Sequence, residues 1–222
     1  MTAPVLPPDP TLDEMRAALA PVIPVHAAFD GWGGEALARA AGQLGLDPAH
    51  ARLAFPGGAV EMIAAWFGWI DAELARRLPP ERLALYRFRD RIAQLILTRL
   101  AIAAPDREAA RRALAILALP QNAATGAKLG WRAADAMWRL AGDTATDFNH
   151  YSKRATLAAV YAATLLVWID DESEDGADTR AFVARRIDDV MRFETLKARF
   201  RVDPERRFNL ARFLGRLRYP PR

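Results

Sequence analysis

The sequence predicts an all-α fold, a bundle of about ten helices. Three observations carry it. No segment of four or more residues alternates apolar and polar side chains as a half-buried strand does. β-Branched residues are few beside alanine, leucine and arginine, which all favour helix. Proline, glycine and N-capping residues fall between the apolar-periodic stretches and punctuate them.

The first helix runs over about residues 11–20. Thr11 caps it, Glu14 stands three residues on as the return partner of a capping box, and Pro21 stops it. A second covers 34–44. A short third covers 48–53, with Asp47 as N-cap and Pro48 in the first turn, where its missing N–H is not needed. The fourth, 59–78, ends at Pro79-Pro80. The fifth and sixth take 81–103 and 107–119. The seventh starts past Pro120 and ends at Gly142. Asp147 caps an eighth over 148–169, a ninth covers 179–200, and Pro204 opens a tenth over 205–217. The chain divides into a tail (1–10), a helix-turn-helix-like unit (11–58), a helical bundle suited to ligand binding (59–200) and a basic amphipathic helix (201–222).

Composition removes many functions. The chain has 222 residues, enough for a substantial core, and 52% of them are hydrophobic. It has no cysteine, which excludes disulfides, thiolate metal sites and a cysteine nucleophile. His26, His50 and His150 are far apart, so no helical metal pair forms. The two serines, Ser152 and Ser173, lie outside any nucleophile elbow, and no glycine-rich phosphate loop is present. The longest uncharged runs, at 113–127 and 155–169, fall short of the ~20 residues that span a membrane. The N-terminal tail lacks the charged and apolar regions of a secretory signal and the arginines of a transit peptide, which points to a cytoplasm.

The net charge of +4 is unevenly placed. From Arg199 to Arg222 there are eight arginines against Asp203 and Glu205, so this segment carries the excess. That pattern suits a basic tail better than a nucleic-acid-binding body. The opposite cluster, 170–178, reads as a solvated acidic loop that caps the next helix, or as a docking site for a basic partner.

Four constellations remain. The helix-turn-helix-like unit is a poor DNA reader: its second helix offers only His50 and Arg52 and begins with an acid. The aromatics Trp66, Phe67, Trp131, Trp138, Tyr161 and Trp168 lie on long apolar helices. Composition does not separate a filled core from the wall of a ligand cavity. The segment 131–154 gathers Arg132, Asp135, Asp147, Asn149, Lys153 and Arg154 at one helix–helix corner. It reads as an ion-paired strut or as a partner-docking surface with aromatic and arginine anchors. In the tail, Leu210, Phe213, Leu214 and Leu217 form one apolar stripe, with Arg212 and Arg216 among the surrounding cations. That is the pattern of a helix lying on a membrane surface.

Phe29 to Ile63, with Asp30-Gly31-Trp32, Ala36-Leu37 and Phe55-Pro56-Gly57-Gly58, resembles the ubiquinone-biosynthesis accessory family, the ninth Coq protein. Trp131-Arg132-Ala133-Ala134-Asp135, Ala141 to Thr144 and Asp147-Phe148-Asn149, continued by Tyr151 and Lys153-Arg154, resemble it too. The likeness covers roughly 11–200, with His150 standing where the family often has an aromatic. It implies a TetR-regulator-like fold, a homodimer, a lipid pocket, an amphipathic helix that engages membrane, and a partner, the di-iron hydroxylase of demethoxyubiquinone. With no cofactor of its own, the protein would hold a lipid or isoprenoid quinone intermediate and present it to that enzyme.

On this reading Trp66, Phe67, Ile92, Leu95, Ile96, Leu117, Trp131, Trp138 and Leu165 line the lipid site. Asp147, Phe148, Asn149, His150, Tyr151 and Arg154 meet the partner. Leu210, Arg212, Phe213, Leu214, Arg216 and Leu217 meet the membrane. The expected location is a bacterial cytoplasm, peripheral on the inner membrane. The alternative is a TetR-type ligand-responsive regulator that binds DNA; an enzyme stands third, for want of a nucleophile or metal motif.

Overall fold

The computed structural model describes residues 6–7, 9–143 and 148–200, with the side chains of 148–150 and 193–200 excepted. Eleven α-helices follow one another: α1 Leu12–Leu19, α2 Ile23–Asp30, α3 Gly34–Gln43, α4 Pro48–Ala54, α5 Gly58–Arg77, α6 Pro80–Leu83, α7 Phe88–Ala103, α8 Arg107–Leu117, α9 Ala123–Leu140, α10 Phe148–Ile169 and α11 Ala177–Phe200. The predicted tail helix at 205–217 lies outside the described residues.

Local chemistry sets the N-terminal unit. The Thr11 Oγ1 accepts from the Glu14 amide at 3.2 Å, and the Glu14 carboxylate accepts from the Thr11 amide at 2.8 Å, the reciprocal capping box. Asp47 Oδ1 caps α4 by accepting from the Ala49 amide. Helix α2 is absent from the sequence prediction, which ends the first helix at Pro21 and begins the next at residue 34. Pro24 sits in the first turn of α2, where no amide is required, and Ile23 and Ala27 bury completely.

The predicted helix over 81–103 is two helices, α6 and α7. Arg91 donates from Nε to the Tyr86 carbonyl at 3.0 Å and from Nη1 to the Ala141 carbonyl at 3.1 Å. That bridge holds the interhelical turn and ties it to the end of α9. Leu83 is buried there, and Leu85, two residues on, is exposed.

One cluster of buried apolar side chains runs from Met15 through the bundle to Ile187. Trp32 joins the N-terminal unit to it: its Nε1 donates to the Ala109 carbonyl at 2.9 Å, and its ring lies 5.5 Å from that of Trp66. In the bundle α9 packs on α10, α10 on α11, and α5 on α7. Leu129, Ala133 and Met137 bury one stripe of α9, while Arg154, Leu157, Tyr161, Thr164 and Trp168 bury one stripe of α10. Among the described residues no single helix is long and apolar enough to cross a membrane.

Candidate functional site

Helices α9 and α10 bound three features: two apolar clefts and an ion-paired corner. The smaller cleft, about 210 Å³, lies between α7, α9, α10 and α11. Phe88, Ile92, Trp138, Leu157, Val160 and Met191 form its apolar walls. Trp138 stacks on Phe88 at 5.6 Å and donates from Nε1 to the Lys153 carbonyl at 3.0 Å. The Lys153 ammonium lies 5.4 Å over the Trp138 ring and donates to Asp143 at 2.7 Å.

The larger apolar cleft, about 330 Å³, lies between α5, α7, α8, α9 and α10. Small residues of α9, among them Gly126, Gly130 and Ala133, open it, and Leu114, Leu117, Leu165 and Leu166 supply its hydrocarbon surface. A Cβ on Gly126 would lie 3.2 Å from the Leu117 carbonyl oxygen, so this glycine sets how closely α8 and α9 approach. Arg99 and Tyr161 also line this cleft. Arg99 is 2% exposed; its Nε donates to the Tyr161 hydroxyl at 2.9 Å and its Nη1 pairs with Asp71. Burial holds the Tyr161 hydroxyl above its ordinary pKa although the Arg99 charge pulls it down, so it stays protonated.

The corner is a chain of charges. Arg154, 2% exposed, donates from Nε to Asp135 at 2.5 Å and from Nη1 to Asp143 at 3.3 Å. Arg139 pairs with Asp135 at 2.8 Å. Burial alone would raise both carboxyls. The Arg154 hydrogen bond and the Arg139 and Arg154 charges outweigh it at Asp135, and Lys153 with Arg154 does so at Asp143, so both sit below the ordinary carboxylate value. Tyr151 is the exposed face of the corner, its ring 6.2 Å from that of Trp131.

The nine residues assigned to one lipid site are therefore dispersed. Ile92 and Trp138 line the smaller cleft; Phe67, Leu117 and Leu165 line the larger. Leu95 and Ile96 are core. Trp66 is core between Trp32 and Phe67, and its Nε1 has no hydrogen-bond partner among the described residues. Trp131 stands at the corner beside Tyr151. Of the six partner residues, Arg154 is an internal strut and Tyr151 is exposed. Asp147 and the side chains of Phe148, Asn149 and His150 lie outside the described residues, as do Leu210, Arg212, Phe213, Leu214, Arg216 and Leu217. Arg132 leaves the corner and donates to the Ala64 carbonyl of α5 at 2.9 Å.

Asp71 and Arg99 were not among the expected site residues. The signal was present in Arg99, a lone cation at i+7 from Ile92 on the buried face of an apolar helix; its partners come from other helices. In the acidic loop, Asp171 accepts from the amides and hydroxyls of Ser173 and Thr179, which hold its carboxyl far below the usual range. It closes the loop onto the start of α11.

A family model described as COQ9 matches residues 123–194, which span α9, α10 and most of α11. The mitochondrial ubiquinone biosynthesis protein COQ9 of Homo sapiens is 37% identical over 176 residues, which cover 76% of this chain and 54% of that protein. Its Rattus norvegicus counterpart is 38% identical over 168 residues, covering 72% and 54%. The chain spans about half the length of these curated relatives. Among solved structures, a TetR transcriptional regulator from Nitrosomonas europaea superposes with a TM-score of 0.62 and 24% identity, over 78% of this chain and 95% of that one. This likeness shows the TetR-like fold. The expected bacterial cytoplasmic location does not stand, because the Homo sapiens, Rattus norvegicus and Bos taurus relatives are named mitochondrial. That expectation rested on the composition of the N-terminal tail, a weak guide in a chain that aligns with only half of its relatives' length.

Proposed function

We propose, for a chain that carries the COQ9 domain and is related to curated COQ9 proteins over three quarters of its length, an accessory role in ubiquinone biosynthesis. The protein binds an isoprenoid lipid without transforming it and presents the quinone intermediate to the pathway's di-iron hydroxylase. The observation that carries this reading is the position of the COQ9 domain: residues 123–194 include the walls that both apolar clefts share, on α9 and α10. Exposing a polyprenyl chain to water costs about 0.8 kcal/mol per CH₂. A protein that covers the tail lowers the cost of bringing the head group to an enzyme. The exposed Tyr151 beside Trp131 offers an aromatic anchor for that enzyme. The stripe Leu210, Phe213, Leu214 and Leu217, flanked by Arg212 and Arg216, supplies the membrane contact, and the protein acts as a homodimer.

The regulator reading has less support. Helix α4 is seven residues long, is capped by an acid, and presents His50 and Arg52 as its only candidates for base edges. The test is reconstitution of hydroxylation on vesicles that carry the demethoxyubiquinone precursor. Added protein should raise the hydroxylase rate, and Tyr151→Ala should abolish the gain. A rate indifferent to the added protein contradicts the presentation role.

A further inference from the structure

We infer that Arg99 and Tyr161 form a head-group site in the larger apolar cleft, and that its ligand is an amphiphile with one anionic head, a long-chain carboxylate in the simplest case. This rests on the lipid-binding reading in one respect, that the cleft takes a hydrocarbon chain. The anionic head is a separate claim and stands on unused donors and unbalanced charge.

Arg99 has five N–H groups. Nε goes to the Tyr161 hydroxyl and Nη1 to Asp71. Among the described residues Nη2 donates to nothing. The Tyr161 hydroxyl accepts from Arg99, and its own proton meets no acceptor among the described residues. Both side chains line the cleft, so two adjacent donors are available to a ligand there. Two donors side by side match the two oxygens of a carboxylate.

The local charge points the same way. Asp71 is the carboxylate of this cluster and serves two guanidiniums, Arg99 directly and Arg132 at 3.5 Å. Tyr161 is neutral. The cluster therefore carries one positive charge more than its carboxylate balances, with Asp71 shared between the buried Arg99 and the half-exposed Arg132 at its solvent edge. An anionic head completes the pairing, and Leu114, Leu117, Leu165 and the exposed Leu166 supply apolar wall for its chain. The volume of about 330 Å³ lies at the lower end for small-molecule pockets.

Oleate and oleyl alcohol share a chain and differ in the head, so they separate the two claims. The full-length protein is titrated with each by calorimetry, below micelle formation and well above the carboxylate pKa range. The wild type should prefer oleate by about tenfold or more. Arg99→Gln should keep the alcohol and lose the preference. Gly130→Leu should lose both ligands, since a Cβ there meets nothing within 4 Å and the longer side chain fills the cleft.

Equal affinity of the wild type for the two ligands overturns the head-group site and leaves the hydrocarbon cleft standing. So does an oleate preference that survives Arg99→Gln. Failure to bind either ligand, or binding untouched by Gly130→Leu, overturns the cleft as the locus of both. If Arg99→Gln does not fold, the wild-type comparison with the Gly130→Leu control still decides.

Discussion

Arg154 of α10 reaches Asp135 of α9 at 2.5 Å, with the guanidinium 2% exposed and the carboxylate side chain 21% exposed. The two residues are 19 positions apart and clamp the two helices that wall both clefts. The Nη1 of the same arginine meets Asp143, three residues past the end of α9, so one side chain holds the corner from two directions.

Replacing Arg154 by Met should destabilise the fold by about 3 kcal/mol, because Asp135 and Asp143 then lose a buried counter-charge. Arg139 and Lys153 still pair with those carboxylates, which keeps the cost at the low end of the range. Adding Asp143→Asn to the same chain should recover part of the loss. Urea titration measures both, and a loss below about 0.5 kcal/mol would show the clamp to be dispensable.

Acid should unfold the protein through these same carboxylates. Asp135 and Asp143 both titrate below the ordinary 3.8 in the native state. Their contribution is present above the unfolded value and is lost as pH falls through the lower native values. Glu73, held at about 2 chiefly by the Arg76 hydrogen bond, acts in the same direction. The melting temperature should be level from about pH 5 to 7 and fall steeply below about 4. Asp135→Asn should flatten the acid limb; an unchanged slope contradicts the assignment.

Two glycines on α9 should respond in opposite senses to alanine. At Gly130 a methyl enters open space, and the helix gains about 0.5–1 kcal/mol. At Gly126 the methyl meets the Leu117 carbonyl oxygen at 3.2 Å, so α8 must shift away. Thermal melts should show Gly130→Ala above and Gly126→Ala below the parent chain. Equal shifts would mean that the α8–α9 approach is not limited by Gly126.

Trp32→Phe should cost about 0.5–1.5 kcal/mol, since it removes the indole hydrogen bond to the Ala109 carbonyl, which keeps its helical partner within α8. Hydrogen exchange should then rise in α1 to α4 more than in α9 and α10. Uniform exchange would show that the indole does not couple the N-terminal unit to the bundle.

The helical class, the caps at Thr11 and Asp47 and the long bundle helices are legible in the sequence because they follow from local periodicity and capping chemistry. Helix α2 is not legible in this way: its prolines give the same signal at a helix start as at a stop, and the burial of Ile23 and Ala27 that decides between them is tertiary. The break between α6 and α7 depends on Arg91 reaching a carbonyl 50 residues away. The aromatics identify apolar helices, but their separation into two clefts and a core depends on helix rotation. Arg99 is visible as a cation on an apolar face; that it meets Tyr161 and Asp71 is a property of packing.

On the proposed function these helices enclose a lipid. The protein is purified without added lipid, weighed intact by native mass spectrometry, and extracted with organic solvent for mass analysis of the extract. An isoprenoid quinone or long-chain lipid in near-stoichiometric amount, with a matching mass difference on the intact protein, is the predicted result. A folded protein of bare mass with a clean extract would contradict it, and the walls of the clefts would then be core surface alone.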